Sequence, residues 1–125
     1  MHLLKLLLPF LLGLAAVSAL AGQKNSNSVV VNTASKNAWG QVTTARDSAN
    51  TKEQISCWTD GGTESECYAV TAQGTIGRCR AANSMYHKVI QMVNSTSHIY
   101  FEWVPNLGVN VCTRIIVDNN SYHLR

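Results

Sequence analysis

HIYFEWVPNLGVNVCTRIIVD, residues 98 to 118, is the stretch on which the fold turns. In HIYFEW the residues alternate as a half-buried strand does, with His98, Tyr100 and Glu102 on one face and Ile99, Phe101 and Trp103 on the other. The second set is core, and the first is open for chemistry. Pro105, Asn106 and Gly108 make a short turn-like segment. CTRIIVD then repeats the alternation, with Thr113, Ile115 and Val117 opposed to Arg114, Ile116 and Asp118. If the two strands pair antiparallel, Glu102 and Arg114 share a face.

The rest of the chain sets the context for that pair. Residues 1 to 21 read as a secretory signal: His2 and Lys5 give a basic start, Leu6 to Val17 an apolar run, and Ala19-Leu20-Ala21 a small-x-small cleavage site before Gly22. The run is broken by Pro9 and is shorter than the roughly 20 residues a membrane span needs, so a secreted protein is expected, free of the membrane once the signal is removed. What remains, 104 residues (125 less 21), makes one small domain, read as a monomer. Without Lys5 the 10 Lys and Arg become nine, against seven Asp and Glu. Such a weak, scattered positive charge permits RNA as a partner without demanding it.

Cys57, Cys67, Cys79 and Cys112 are an even set in a small secreted chain, which points to disulfides worth roughly 2 to 4 kcal/mol each. Three pairings are open on sequence alone. None of the spacings is of the CxxC type, so zinc is the weaker reading, and no motif calls for a cofactor.

Along the chain, residues 22 to 55 are rich in Asn, Ser, Thr and Gln, with an isolated Val29-Val30-Val31 and a lone Trp39. The composition predicts a mostly flexible arm. The competing reading is a hairpin of SVVVNT and WGQVTT around Ser35 to Asn37. Thr63-Glu64-Ser65-Glu66 matches a capping box and predicts a helix running to Ile76 and stopped by Gly77, with Cys67, Val70 and Thr71 facing the sheet. YHKVIQMV, residues 86 to 93, is apolar enough for a strand. One helix packed on an antiparallel sheet makes the fold α+β, with the domain at residues 56 to 125. Asn94-Ser95-Thr96 and Asn119-Asn120-Ser121 are glycosylation sequons, which belong on accessible loops if they are used.

With YFEWVP followed by TRIIVDNN, and YHK upstream at Tyr86 to Lys88, the chain from about residue 55 to 125 resembles the fungal guanyl-specific extracellular ribonucleases. That family carries, in this order, a His-Lys pair, a Tyr-Glu-Trp-Pro strand, and an Arg followed by aliphatics and an Asn-rich turn. The chain is also similar to the ribonuclease-like effectors secreted by plant-parasitic fungi, in which the first Cys is followed by a Gly-Thr pair, as Cys57 is here by Gly62 and Thr63. The resemblance implies a microbial ribonuclease-like fold and RNA cleavage by transphosphorylation. That reaction needs a base for the ribose 2′-OH, an acid for the leaving oxygen, and positive charge against the phosphate. By resemblance Glu102 is the base, Arg114 the phosphate stabiliser and His87 the imidazole that supports the base.

The chain departs from the pattern in four places. The family's general acid is a His on a strand beyond the Asn-rich turn, so the resemblance implies that the sequence stops short of that C-terminal strand; His123 is too near Arg114 to replace it. His98, two strand positions before Glu102 on the same face, is the better-placed substitute. In the family the Cys near the start of the domain pairs with one at the extreme C-terminus, which this sequence lacks, so Cys57 is expected to pair otherwise or stay free. Tyr86 adjoins His87 instead of preceding it by two, and Val89-Ile90-Gln91-Met92 stands where the family has its guanine-reading loop, so no base-recognition residue carries over.

Two functions lead, ahead of an unrelated small secreted structural protein, which gains weight only if the Tyr-Phe-Glu-Trp strand does not neighbour the Arg114 strand. One is a secreted ribonuclease-like protein that binds single-stranded RNA weakly and cuts it slowly or not at all. The other is an effector or toxin that uses the stapled scaffold to bind a host protein, since a fold alone does not fix a function.

Overall fold

The computed structural model describes residues 28 to 120; the stretch expected to be a signal, residues 1 to 21, and Ser121, His123 and Arg125 lie outside the described residues. Nine elements follow one another: β1 (Val30–Asn32), β2 (Asn37–Gln41), α1 (Val42–Asp47), β3 (Gln54–Thr59), β4 (Ser65–Val70), β5 (Ile76–Arg80), α2 (Ser84–Ile90), β6 (His98–Asn106) and β7 (Val109–Asp118). The strands form one seven-stranded sheet in the order β1-β2-β6-β7-β5-β4-β3. Every neighbouring pair is antiparallel except β5 and β7, which run parallel and share a single registered pair, Arg80 with Val111. The fold is α+β, with two short helices.

The β6–β7 hairpin has the alternation expected of it. Glu102 pairs with Arg114, Tyr100 with Ile116 and His98 with Asp118 on one face, while Phe101 pairs with Ile115 and Ile99 with Val117 on the other. A bulge between Glu102 and Trp103 takes Thr113 out of register, so that Trp103 opposes Cys112. Without that extra residue Cys112 would sit on the face of Arg114; with it, Cys112 turns inward and bonds Cys79.

Ala38, Ile99, Phe101, Trp103, Ile115, Cys112, Cys79, Cys67, Ala69 and Ile55 fill the inner face. The sheet rolls around this core far enough that edge strand β1 meets β5. A Cβ built on Gly77 would lie 3.1 Å from Val31 and 3.0 Å from Trp103, so this strand glycine is a point of close approach. α1 lies against β3, with Thr44 and Ala45 buried, and α2 lies against the inner side of β3, β4 and β7. The disulfides are Cys57–Cys67, across the registered pair of β3 and β4, and Cys79–Cys112, across the parallel junction. Neither Cys57 nor any other described cysteine is free.

Three expectations are overturned. The helix predicted over 63 to 76 is strand β4 followed by a turn: Ser65, Cys67 and Ala69 point inward, Glu66 and Tyr68 outward, and this alternation outweighs the capping-box signature. Gly77, instead of ending a helix, lies within β5. The strand predicted over 86 to 93 is helix α2, capped by Asn83, whose side chain accepts from the Met85 N–H at 2.8 Å. Tyr86, Val89, Ile90 and Val93 fall at helical spacing, and all four pack on the core. The described part of the arm, residues 28 to 55, is ordered into β1, β2, α1 and the start of β3; the hairpin is the arrangement present, tied into the sheet by β2 pairing with β6.

Candidate functional site

The outer face of β2, β6 and β7 carries His98, Tyr100, Glu102 and Arg114, four of the groups singled out in the sequence. Glu102 stands opposite Arg114, with Arg114 Nη1 3.9 Å from Glu102 Oε1. Tyr100, two residues before Glu102 on β6, donates its hydroxyl to the same Oε1 at 2.5 Å and accepts from Asn37 Nδ2 at 3.3 Å. The Arg114 guanidinium lies 6.0 Å from the centre of the Tyr100 ring. Across on β2, Trp39 is registered with Tyr100, their ring centres 6.4 Å apart and their planes 25° from parallel. The result is a ledge of two aromatic rings edged by one cation and one carboxylate.

Electrostatically the ledge is balanced. The Arg114 side chain is 61% exposed and that of Glu102 35%, so the pair is held in a high-dielectric setting and contributes little to stability. The phenol of Tyr100 is pushed above its ordinary range, first by its hydrogen bond to Glu102 and then by burial. Its proton therefore stays on oxygen and stays directed at the carboxylate.

The two imidazoles assigned by the sequence divide. His87 does not join Glu102 and Arg114. It sits on α2, buried, with Nδ1 hydrogen-bonded to Ser65 Oγ and lying 3.4 Å from Thr59 Oγ1. Ser65 and Thr59 belong to the inner face, so the sheet stands between His87 and Glu102. A helix in place of the expected strand is the physical reason: His87 shares the helix face of Ile90 and is carried into the core. His98 is on the outer face as expected, paired with Asp118 and Gln41. It lies four positions before Glu102, about 13 Å along a strand, with Tyr100 between them.

Trp39 and Asn37 were missed because β2 falls in the segment read as an arm. The available signal was Asn37, Trp39 and Gln41 alternating with Ala38 and Gly40, one period short of a convincing strand. Both sequon asparagines are exposed on loops: Asn94 Oδ1 accepts from the Thr96 N–H at 2.9 Å, and Asn119 Nδ2 donates to the Met92 carbonyl at 3.0 Å. Among the described residues no cluster of three or more His, Cys, Asp or Glu is placed to hold a metal ion, and no helix is long and apolar enough to cross a membrane. Comparison with protein-family models, with curated proteins and with solved structures finds no match to this chain.

Proposed function

We propose that this is a secreted ribonuclease-like protein that binds single-stranded RNA through the outer face of β2, β6 and β7, with cleavage weak or lost. The observation that carries the reading is the ledge of Trp39, Tyr100, Arg114 and Glu102 on one accessible face. Single-stranded RNA is held by base stacking on aromatic rings and on guanidinium planes, with cations against the phosphates, and this ledge offers each of those groups.

Weak or absent cleavage follows from the proton inventory of the described residues. Glu102 can serve as base and Arg114 can face the phosphate, but the leaving oxygen needs an acid across the phosphate from the base. His87 is behind the sheet, His98 is about 13 Å away along β6, and the Tyr100 phenol holds its proton more tightly than usual. Loss of a general acid removes about 10² to 10⁴ in rate.

The second reading, a protein-binding effector, draws on the tip of the β6–β7 hairpin, where Leu107 is 99% exposed and flanked by exposed Val104 and Val109. Anisotropy of a labelled single-stranded RNA at two salt concentrations, with an assay for 2′,3′-cyclic phosphate ends, separates the possibilities. Salt-sensitive binding is expected, weakened by Arg114→Ala because one phosphate contact goes, and kept or tightened by Glu102→Gln because the guanidinium loses a competing carboxylate. Efficient cleavage abolished by Glu102→Gln would establish a complete enzyme, and no binding at low salt would leave the protein-partner reading standing.

A further inference from the structure

The ledge has a counterpart on the other half of the sheet. On β4, Glu66 and Tyr68 sit two apart on the outer face, as Glu102 and Tyr100 do on β6. On the neighbouring strand β5, Arg78 is registered with Tyr68, lies 6.0 Å from the centre of its ring and donates to Glu66 at 2.8 and 2.9 Å. On the strand to the other side, β3, Trp58 is registered with Glu66 and is 47% exposed. Trp, Tyr with Glu, and Arg thus occupy β2, β6 and β7 in one direction, and Arg, Tyr with Glu, and Trp occupy β5, β4 and β3 in the other. The two sets mirror each other in strand order about the parallel junction, with the registers exchanged: Trp39 faces Tyr100 and Arg114 faces Glu102, whereas Trp58 faces Glu66 and Arg78 faces Tyr68.

Within this second set, Arg78 and Arg80 line a cavity of about 270 Å³ together with Glu66, Gly108 of the hairpin turn, and Val109 and Asn110 at the start of β7. The Arg80 guanidinium is 3.4 Å from Glu64, and the Arg80 side chain remains 57% exposed. Glu66 holds Arg78 above the ordinary guanidinium range, so that cation is permanent.

Resting on the proposed function, we propose that Trp58, Tyr68, Glu66 and Arg78 form a second nucleotide station, so that one single strand of RNA crosses the outer face and engages both halves of the sheet. Two stations of the same chemistry call for a ligand that repeats. Each supplies an aromatic face, a guanidinium and a carboxylate, and these match a base plane, a phosphate and a base amino group such as cytosine N4. A nucleotide carries all three; a neutral sugar polymer lacks the anion and an acidic polysaccharide lacks the planar base. From β6 to β4 the sheet spans three strand spacings, about 14 Å, with the Arg78–Arg80 cavity placed to take a phosphate of the connecting strand.

The test uses the full chain with labelled oligocytidylates of about four and about twelve nucleotides, within the range of site sizes seen on single-strand platforms. Two short oligomers should bind per chain, and the longer one should bind more tightly than either. Trp58→Ala should reduce the short-oligomer stoichiometry from two to one and weaken the longer oligomer roughly ten- to a hundredfold, the value of one stacked base. Arg78→Ala should also lower the slope of log K against log salt by about 0.7, one single-strand phosphate. Trp58 is exposed, so its replacement keeps the test open if Arg78→Ala, which leaves Glu66 without its cation, does not fold. Binding that responds to Arg114→Ala but not to Trp58→Ala overturns the second station and leaves the first. Binding of neither oligomer overturns both. Equal competition by an anionic polysaccharide, lost with Arg78→Ala and untouched by Trp58→Ala, overturns the nucleotide assignment.

Discussion

The Tyr100 hydroxyl serves two neighbours, donating to Glu102 and accepting from Asn37, and both lie on the ledge. Because its folded pKa is raised above the ordinary 10.0, the neutral phenol is the form the fold favours. The stabilisation is fully present below about pH 10 and is lost as the pH rises through the higher folded value. In an absorbance titration of the phenolate band, the step that disappears on Tyr100→Phe should lie above pH 10, and Glu102→Ala should move it down, since the carboxylate is the largest cause. A Tyr100 step at or below pH 10 in the native protein would mean that the phenol does not donate to Glu102. At this scale the sequence reads well where the alternation is long. His98, Tyr100 and Glu102, with Arg114 opposite, follow directly from the period of two. His87 shows the limit: its role came from the resemblance alone, and the helix that stands where a strand was expected carries the ring to the far side of the sheet.

Among the elements, the short ones were the least legible, and each for a stated reason. β4 carries a capping-box sequence, yet its turn, Thr71 to Thr75, closes through the Thr71 N–H to the Thr75 carbonyl at 3.0 Å and places Gly74 at φ +90, so the chain doubles back where a helix would continue. α2 is seven residues long, below the length at which helical periodicity stands out, and its clearest marker, Asn83 as N-cap, precedes the stretch read as a strand. The β6–β7 turn is tighter than Pro105, Asn106 and Gly108 imply. The strands run to Asn106 and from Val109, leaving Leu107 and Gly108 as a two-residue connection with φ of 50 and 80. Two positive φ values match the right-handed twist of a hairpin, and Asn-Gly is its preferred filling. Leucine in that conformation is strained by roughly 1 to 2 kcal/mol, and at 99% exposure it has no packing to offset the cost. Leu107→Asn is therefore expected to stabilise the protein by about 1 kcal/mol in urea unfolding, with the slope unchanged. A destabilised variant would show that Leu107 makes contacts that its exposure conceals. If the same variant loses a binding partner, the strain serves recognition, as backbone outliers at functional sites often do.

Over the whole molecule the sheet is two antiparallel halves, β1-β2-β6-β7 and β5-β4-β3, joined through one registered parallel pair. The cysteines gave no hint of this, since four of them allow three pairings, and the choice depended on a one-residue bulge at Thr113 that sequence does not mark. The two bridges have different tasks. Cys57–Cys67 spans 10 residues inside a hairpin already held by six registered pairs. Cys79–Cys112 spans 33 residues and crosses the junction where the ladder is thinnest. Loop-closure entropy alone makes the first worth about 3 and the second about 4 kcal/mol, and the difference widens because only the second crosses the strand junction that a single registered pair holds. Replacing Cys79 and Cys112 together by Ala should thus lower the melting temperature more than replacing Cys57 and Cys67. It should also speed hydrogen exchange in β5 and β7 ahead of β2 and β6, because the halves part before either unravels. Circular dichroism melts of the two double variants, with exchange measured strand by strand, supply the comparison. An equal or larger loss from the Cys57 and Cys67 pair would mean that the inner-face packing of Trp103, Gly77 and Val31, and not the disulfide, holds the halves together.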